Sequence, residues 1–599
     1  SSSADGLNVD LGGAGQLLAD RTLSVNTNDT GARRVYTYTA TAGISKLLLT
    51  HVNNTFDTTN DAVKIAFPSI NDSVITSTLN GTYVDRSVDT TEANWRLGAI
   101  VHSEPLVKYY EDPNNNGQKD TNEPRSYIFV GANDGMLHVF NADDGTEAWA
   151  FVPPGQVSRL SLLTSDSEFD YFVDGSPVIE TVKDTSSSGT FELLVFGERR
   201  GGNRYYALDV TNPDEPAWKY EIKDGSNYLL GHVDAALGQS WSKPQLKMLK
   251  SPAVTQPMEV LLLAGGYDPD RYDATGVDDS VDRGRAIYTV QADTGAVSND
   301  NDDVLGLSVH AENWLDDSSP RKPYMKDSIL DVTGFDVSGK GYMDRVYAGD
   351  LGGRLFAIRY YDNCAIEGGC FNGWEPRLLF DLSSSASTVG KKIMTKPEVA
   401  LEVGKECAYF GTGDRENPTD QNADDAIYAV CNTWPDSWSQ PLTTTDIEDV
   451  TDNYVQDADT LEWSYTKPTS EIGWYLKLTH SGEKLTSAPK LLNKILYFTT
   501  FTPGVPVDGD DCNPDYDYGT SRLYAVNYRT GEAAYNFKAD DEWTEEDRSL
   551  TIGTSISGDP VLTTSGITTS LYYGAGGKFG KMDVETNPRL KRYYWRQVK

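Results

Sequence analysis

The stretch YIFVGANDGMLHVFNADDGTEAWAF, residues 127–151, holds three short apolar runs separated by two turns. Residues 127–130 are β-branched or aromatic, 131–135 close a glycine turn, and 136–140 form a second run. Asp143-Asp144-Gly145 then turns the chain into a third run at 147–151. Runs of this length with turn residues between them predict three antiparallel strands. A fourth strand follows Ser103-Glu104-Pro105 just upstream.

The same grammar recurs to the C-terminus. A small-x-Pro lead-in returns at Ser176-Pro177, Ser242-Lys243-Pro244, Thr395-Lys396-Pro397, Ser487-Ala488-Pro489 and Ser557-Gly558-Asp559-Pro560, with a degenerate form at Asp331-Val332-Thr333-Gly334. Each is followed by a hydrophobic run, a glycine turn and a strand of the type RYYALDV, AIYTVQADTG, RLFAI, AIYAVC, RLYAVNYRTG or KMDV. Seven copies at intervals of roughly 60 to 95 residues, none able to bury both its faces alone, imply blades stacked around an axis. The expected fold is all-β: a modified seven-bladed β-propeller with quinoprotein-like blades over 96–599, preceded by a small β-rich N-terminal segment over 1–95. One or two β-sandwiches are the alternative, and a register shared by seven copies argues against them.

The 599 residues carry 52 Lys and Arg against 89 Asp and Glu, a formal net charge of -37. That balance excludes a general nucleic-acid binder and disfavours an anionic membrane surface. It suits solubility, or divalent cations in acidic loops. No run approaches the ~18 apolar residues of a membrane helix. No positively charged leader precedes Ser1, which reads as a mature or processed chain. Abundant Tyr, Thr, Asn, Asp and Gly suit a secreted, β-rich protein.

Of five cysteines, Cys407 opens one strand and Cys431 closes its hairpin partner, so the two are placed to bond within a blade. Cys364 and Cys370 bracket a short loop that a disulfide would staple. Cys512 is the odd one. The cysteines lack CxxC spacing and the histidines are scattered, which argues against zinc.

Residues 1–95 do not follow the blade grammar. RVYTYTATAGISKLLLTH, residues 34–51, alternates well enough for two strands, and the rest to Asn94 reads as connector with one short helix. The most specific motif is DPNNNGQKDTNE, residues 112–123, between the first two strands of blade one. Asp112, Asn114 and Asn116 stand at loop positions one, three and five, and Gly117 permits the turn at six. Gln118 offers a carbonyl at seven, Asp120 is at nine and Glu123 at twelve, the pattern of a calcium loop without its flanking helices. An Asn/Asp-rich solvated turn is the plain alternative. Two amides in place of carboxylates point to an affinity of roughly 10⁻⁴ to 10⁻³ M.

A second such loop, FDVSGKGYMDRVYAGD in blade four, places Asp336, Ser338, Lys340, Gly341, Tyr342 and Asp344 at positions one, three, five, six, seven and nine. Lysine at five removes a ligand and adds a charge. One reading puts the Lys340 ammonium between Asp336 and Asp344 as a built-in cation; the other leaves it in solvent. The remaining acidic loops, at Asp268, Asp270 and Asp273, at 300–303 and at 508–511, read as solvated.

These motifs (RLGAIVHSEP, VGANDGMLHVFNADDGTEAWAFVP, FVDGSPV, AGGYDPD, FDVSGKGYMDRVYAGDLGGRLF and YFGTGDREN) resemble the C-terminal propeller of the PilC/PilY family of type IV pilus tip adhesins. The resemblance implies a non-enzymatic, calcium-binding protein at the tip of a type IV pilus, exported through the periplasm to the cell surface. It further implies attachment to host cells or abiotic surfaces, a role in pilus biogenesis and twitching motility, and contact with minor or major pilins. The family's calcium site corresponds here to Asp336, Ser338, Tyr342 and Asp344, with Lys340 departing from the pattern. The family's DxSxS metal motif is matched only formally, by DTSSS from Asp184 and DLSSS from Asp381, among blade strands.

Two rival readings come from other classes. Quinone-dependent propeller dehydrogenases share the strand endings, but they usually have eight blades and a regular Trp in each. Here seven copies, no adjacent Cys pair and irregular tryptophans (Trp149, Trp218, Trp241, Trp374, Trp474) argue for no enzyme. A purely structural extracellular scaffold is the other. Pilin contact is expected by strand addition, with residues 1–95 or the final 591–599 as the edges.

Overall fold

The computed structural model describes residues 33–40, 48–80, 97–111, 126–164, 170–223, 237–250, 256–270, 272–273, 276–277, 283–296, 309–310, 327–361, 374–383, 391–402, 405–432, 441–452, 472–504, 519–538, 544–565, 568–575 and 578–584. Among them the chain forms seven sheets of three to five strands and one separate two-stranded ribbon. The fold is a seven-bladed β-propeller. Two compact units divide it: the first covers 1–308 apart from 250–252 and 285–287, and the second takes those segments and 309–599.

Blade one shows how the sequence builds each sheet. Its strands Leu106–Tyr109, Ser126–Gly131, Leu137–Asn141 and Glu147–Phe151 pair antiparallel in chain order. The turn before the third strand needs Gly135, whose φ of 91° is open to glycine at no steric cost. The third and fourth strands of blade one are buried along their whole length, which is why they read as nearly continuous apolar runs rather than alternating ones. Blade two repeats the order with Val178–Lys183, Thr190–Gly197, Tyr205–Asp209 and Ala217–Ile222, and blade four with Ile329–Phe335, Arg345–Asp350, Arg354–Tyr360 and Trp374–Asp381.

The serine of the lead-in acts as a pin. Ser103 Oγ accepts from Gly131 N–H at 2.9 Å, Ser242 Oγ from Ala264 N–H at 3.0 Å and Ser487 Oγ from Thr499 N–H at 2.8 Å. In each case the hydroxyl satisfies a buried donor on the second strand of its own blade. The next residue links neighbouring blades: Glu104 N–H donates to Ser176 Oγ at 3.0 Å, and Ala488 N–H to Asp559 Oδ1 at 2.9 Å.

The tryptophans are more regular in space than in sequence. Trp149, Trp218, Trp374 and Trp474 all lie on the fourth strand of their blades, and loop lengths alone scatter them along the chain. Trp149 Nε1 donates to the carbonyl of Pro213 in the next blade at 2.6 Å, and Trp474 Nε1 to that of Tyr528 at 3.2 Å. Irregular tryptophans therefore do not separate this chain from the quinone enzymes.

The N-terminal segment departs from expectation. Its described residues include one short strand, Val35–Tyr36, a 3-10 turn at Val52–Asn54 and two helices, Asp61–Ala66 and Asp72–Asn80, where one helix is expected; residues 41–47, within the stretch expected to hold a second strand, lie outside the described residues. Val63 of the first helix, Val74 and Ile75 of the second, and Ile70 between them pack with Met136, Ala150, Val152, Val157 and Leu160. Val35–Tyr36 adds to blade one as a fifth strand, parallel to Glu147–Phe151. Its other side is bonded too, through Thr37 N–H to Asn54 O and Phe56 N–H to Val35 O, both 2.8 Å. Hence this strand does not offer the free edge expected of residues 1–95; the other expected edge, 591–599, lies outside the described residues.

Candidate functional site

The loop carrying Asp112, Asn114, Asn116, Gln118, Asp120 and Glu123 lies outside the described residues. Its flanks fix its position: Tyr109 pairs with Ser126, so the loop joins the first two strands of blade one as a hairpin connection.

The blade-four loop is built on the hairpin between Ile329–Phe335 and Arg345–Asp350. It brings Asp336, Ser338 and Asp344 together. Asp336 accepts from the N–H groups of Lys340 at 3.1 Å and Gly341 at 2.7 Å; Asp344 accepts from those of Val337 at 2.9 Å and Ser338 at 3.1 Å. Gly339 and Gly341, at φ 68° and 85°, make that wrapping possible. Arg345 Nη1 stands 3.6 Å from Asp344, and the Lys340 ammonium stands 5.9 Å from the Tyr342 ring centroid. The Tyr342 ring is buried against Tyr360, leaving its carbonyl as the group a metal would use. Four backbone N–H groups already hold the two carboxylates, and a lysine occupies the fifth position. This donor set fits calcium poorly. No group of three or more His, Cys, Asp or Glu among the described residues is arranged to hold a metal ion.

The other acidic motifs are local turns. Asp184 accepts from Ser186 N–H, Ser186 Oγ and Ser187 Oγ, and Asp381 from Ser383 N–H and Oγ, so both DxSxS strings cap their own loops. Asp268 is buried and accepts from Asp270 N–H at 3.1 Å. The side chain of Asp273 and residues 300–303 and 508–511 lie outside the described residues. Cys407 and Cys431, directly opposite in the Lys405–Gly411 and Ala426–Asn432 pairing, form a disulfide. Cys364, Cys370 and Cys512 lie outside the described residues.

One buried charged cluster among the described residues is missed by sequence reading. His138 is fully buried in blade one, with Nδ1 2.7 Å from Glu147 Oε1 and Nε2 3.0 Å from Asp134 Oδ2. Only an imidazolium can donate to both. Burial alone would discharge the ring, but Asp134 and then Glu147 outweigh it and push its pKa up to about 9. Glu147 is likewise opposed by burial, but Arg33 and His138 hold it down at about 2. Arg33 meets Glu147 at two points, 2.6 and 2.7 Å, and its Nη1 lies 3.4 Å from the Thr78 and Leu79 carbonyls at the end of helix Asp72–Asn80. The signal was an acid, Glu147, in a strand otherwise wholly apolar, which demands a buried partner.

His102 bonds Asp174 at 2.7 Å and His480 bonds Glu483 at 2.8 Å. Each of these carboxylates is buried. The arrangement holds structure together in both units rather than presenting an open acid and base.

A family model described as the PilY1 beta-propeller domain matches residues 103–433. The type IV pilus biogenesis factor PilY1 homolog of Xylella fastidiosa is 26% identical over 435 residues, covering 68% of this chain and 26% of its own length. Type IV pilus biogenesis factor PilY1 of Pseudomonas aeruginosa strain UCBPP-PA14 is 28% identical over 291 residues, 45% of this chain and 21% of its own. This chain thus spans about a quarter of the length of the curated relatives it matches. The crystal structure of the Pseudomonas aeruginosa PilY1 C-terminal domain superposes with a TM-score of 0.51 at 18% identity, covering 78% of this chain and 93% of that one, which supports a common fold.

Proposed function

Because the chain belongs to the PilY1 β-propeller family, whose model takes in more than half of it at residues 103–433, we propose that it serves a type IV pilus as a tip-associated adhesin and assembly factor. The family match carries this reading. Its curated relatives bear the name type IV pilus biogenesis factor, and a rigid propeller with long inter-strand loops suits presentation of a binding surface. No helix among the described residues is long and apolar enough to cross a membrane, in keeping with a location on the pilus outside the cell.

The protein works by binding rather than by turnover. Its described histidines beside carboxylates are engaged in buried or half-buried structural bonds. Calcium belongs in the blade-one loop at Asp112, Asn114, Asn116, Gln118, Asp120 and Glu123, where it would tie the hairpin connection with hard oxygen donors. Pilin contact by strand addition falls to an edge other than Val35–Tyr36.

Deleting the gene in its own bacterium tests the reading. Loss of surface pili, twitching and attachment, restored by the full gene and not by one lacking residues 103–433, is the expected result. Normal pili and attachment in the deletion strain would overturn it. Dye reduction by the purified chain with pyrroloquinoline quinone would overturn the non-enzymatic part.

A further inference from the structure

In blade five, residues 412–425 join strands Lys405–Gly411 and Ala426–Asn432. The loop reads TGDRENPTDQNADD and carries Asp414, Glu416, Asp420, Asp424 and Asp425, oxygen-rich chemistry of the kind that hard metal ions bind. The structure puts a lysine there instead.

That lysine comes from blade six. Lys484 lies in the short strand Lys484–Leu485, paired with Phe501 along the backbone, and is fully buried. Its Nζ donates to the carbonyl of Asp420 at 2.8 Å and to that of Pro418 at 3.1 Å. Burial presses its pKa below the ordinary value, and Asp420, Asp425 and Asp414 act against that loss of charge. A charge away from water needs such oxygens around it.

The turn ahead of Lys484 is shaped to the same loop. Gly482 holds φ at 71°, and a Cβ there would stand 2.6 Å from both Asp420 O and Gln421 Cα, so only glycine fits. Ser481 Oγ donates to Gln421 O at 3.0 Å, and Gln421 Nε2 to Gly504 O at 3.0 Å. Two more lysines meet the ends of the loop: Lys392 bonds Asp414 at 2.6 Å, and Lys391 stands 3.3 Å from Asp424. Asp414 and Asp420 also accept the N–H groups of Glu416 at 3.0 Å and Asn422 at 2.9 Å. The acids are thus engaged by lysines and by their own backbone.

We infer that Lys484 is an internal cation that latches the blade-five loop to blade six in the place of a metal ion, so that the loop keeps its shape without one. The blade-four loop differs, because there Lys340 is exposed and backbone N–H groups wrap the acids. What the Lys484 latch fixes faces solvent: Asn417, Thr419 and Asn422 are exposed, uncharged and able to donate and accept hydrogen bonds. The surface they form is the same in calcium-poor and calcium-rich surroundings. The inference rests on this geometry and stands apart from the pilus assignment.

Hydrogen exchange of the whole chain, read by mass spectrometry at the amides of 415–424, tests it. In the wild-type chain those amides should exchange equally fast in calcium and in a chelator. Lys484→Met keeps the stem and removes the charge; exchange should rise about tenfold or more, as loss of a charge-assisted bond implies, while Lys405–Gly411 and Ala426–Asn432 stay protected. In Lys484→Ala, ethylammonium chloride should restore slow exchange and sodium chloride of equal strength should not. Faster wild-type exchange in the chelator would put a metal in the loop, and unchanged exchange in Lys484→Met would reduce Lys484 to packing. Either result overturns the inference, as does equal restoration by the two salts. Should both variants fail to fold, the wild-type comparison still decides between lysine and metal.

Discussion

Arg33 and Glu147, 114 residues apart in the chain, form a two-point ion pair of 2.6 and 2.7 Å with both side chains buried. It joins the N-terminal segment to blade one, and through Glu147 it also reaches His138 and Asp134. Four charged groups therefore depend on one another without solvent to replace any of them.

Arg33→Met should be strongly destabilising. It leaves Glu147 charged and short of its main partner, a change of about 3 to 5 kcal/mol for a broken buried pair. Urea unfolding followed by tryptophan fluorescence measures it. A loss under about 0.5 kcal/mol would mean that Arg33 is not seated as described.

The same cluster sets a pH window. The folded-state pKa of His138 is raised to about 9, so its contribution is fully present below its ordinary value of about 6.5 and disappears as pH rises through 9. Glu147 is lowered to about 2, so its contribution is present above about 4.5 and lost on acidification towards 2. Melting temperature against pH should show a plateau between those limits with an alkaline fall of roughly 3 kcal/mol in stability. His138→Gln should flatten the alkaline limb; an unchanged limb would assign it to other groups.

Glu198 predicts the opposite kind of mutant. Burial raises its pKa to about 7, although Tyr206 and Gln156 donate to it. Folding therefore favours its protonated form, a contribution fully present below about 4.5 and lost as pH rises through 7. Glu198→Gln should leave stability unchanged at pH 4 and raise it by roughly 3 kcal/mol or less at pH 8. A destabilised variant at both pH values would refute this account.

Calcium titration by calorimetry, with thermal melting, addresses the loops. One ion bound in the roughly 10⁻⁴ to 10⁻³ M range, with a higher melting temperature, is expected, and both effects should vanish in Asp112→Ala with Glu123→Ala. Binding retained in that double variant would move the metal to another loop. Lys340→Asp adds a third carboxylate beside Asp336 and Asp344 and should create a second site; no added binding would show that the backbone-wrapped loop cannot open for an ion.

The blades were legible because each repeats a short-range signal: an apolar run, a glycine turn and a lead-in serine, all within one hairpin. The serine pins at Ser103, Ser242 and Ser487 show that the lead-in motif is a hydrogen-bonding device and not only a turn. What the sequence hid was long-range. Nothing near Arg33 announces Glu147. The helices at Asp61–Ala66 and Asp72–Asn80 are short, and their apolar positions acquire meaning only against Met136 and Leu160 of blade one. The tryptophans looked irregular because loops of unequal length separate equivalent strands.

The parallel attachment of Val35–Tyr36 to Glu147–Phe151 also has a mechanical side. Tension transmitted along the chain into Arg33 would load this short strand and its ion pair. Two backbone bonds, from Ala150 N–H to Arg34 O and from Val152 N–H to Tyr36 O, would bear the load together with Arg33. Two bonds are fewer than any pair of full-length blade strands shares, so under such a load this strand would be expected to part before the blade behind it.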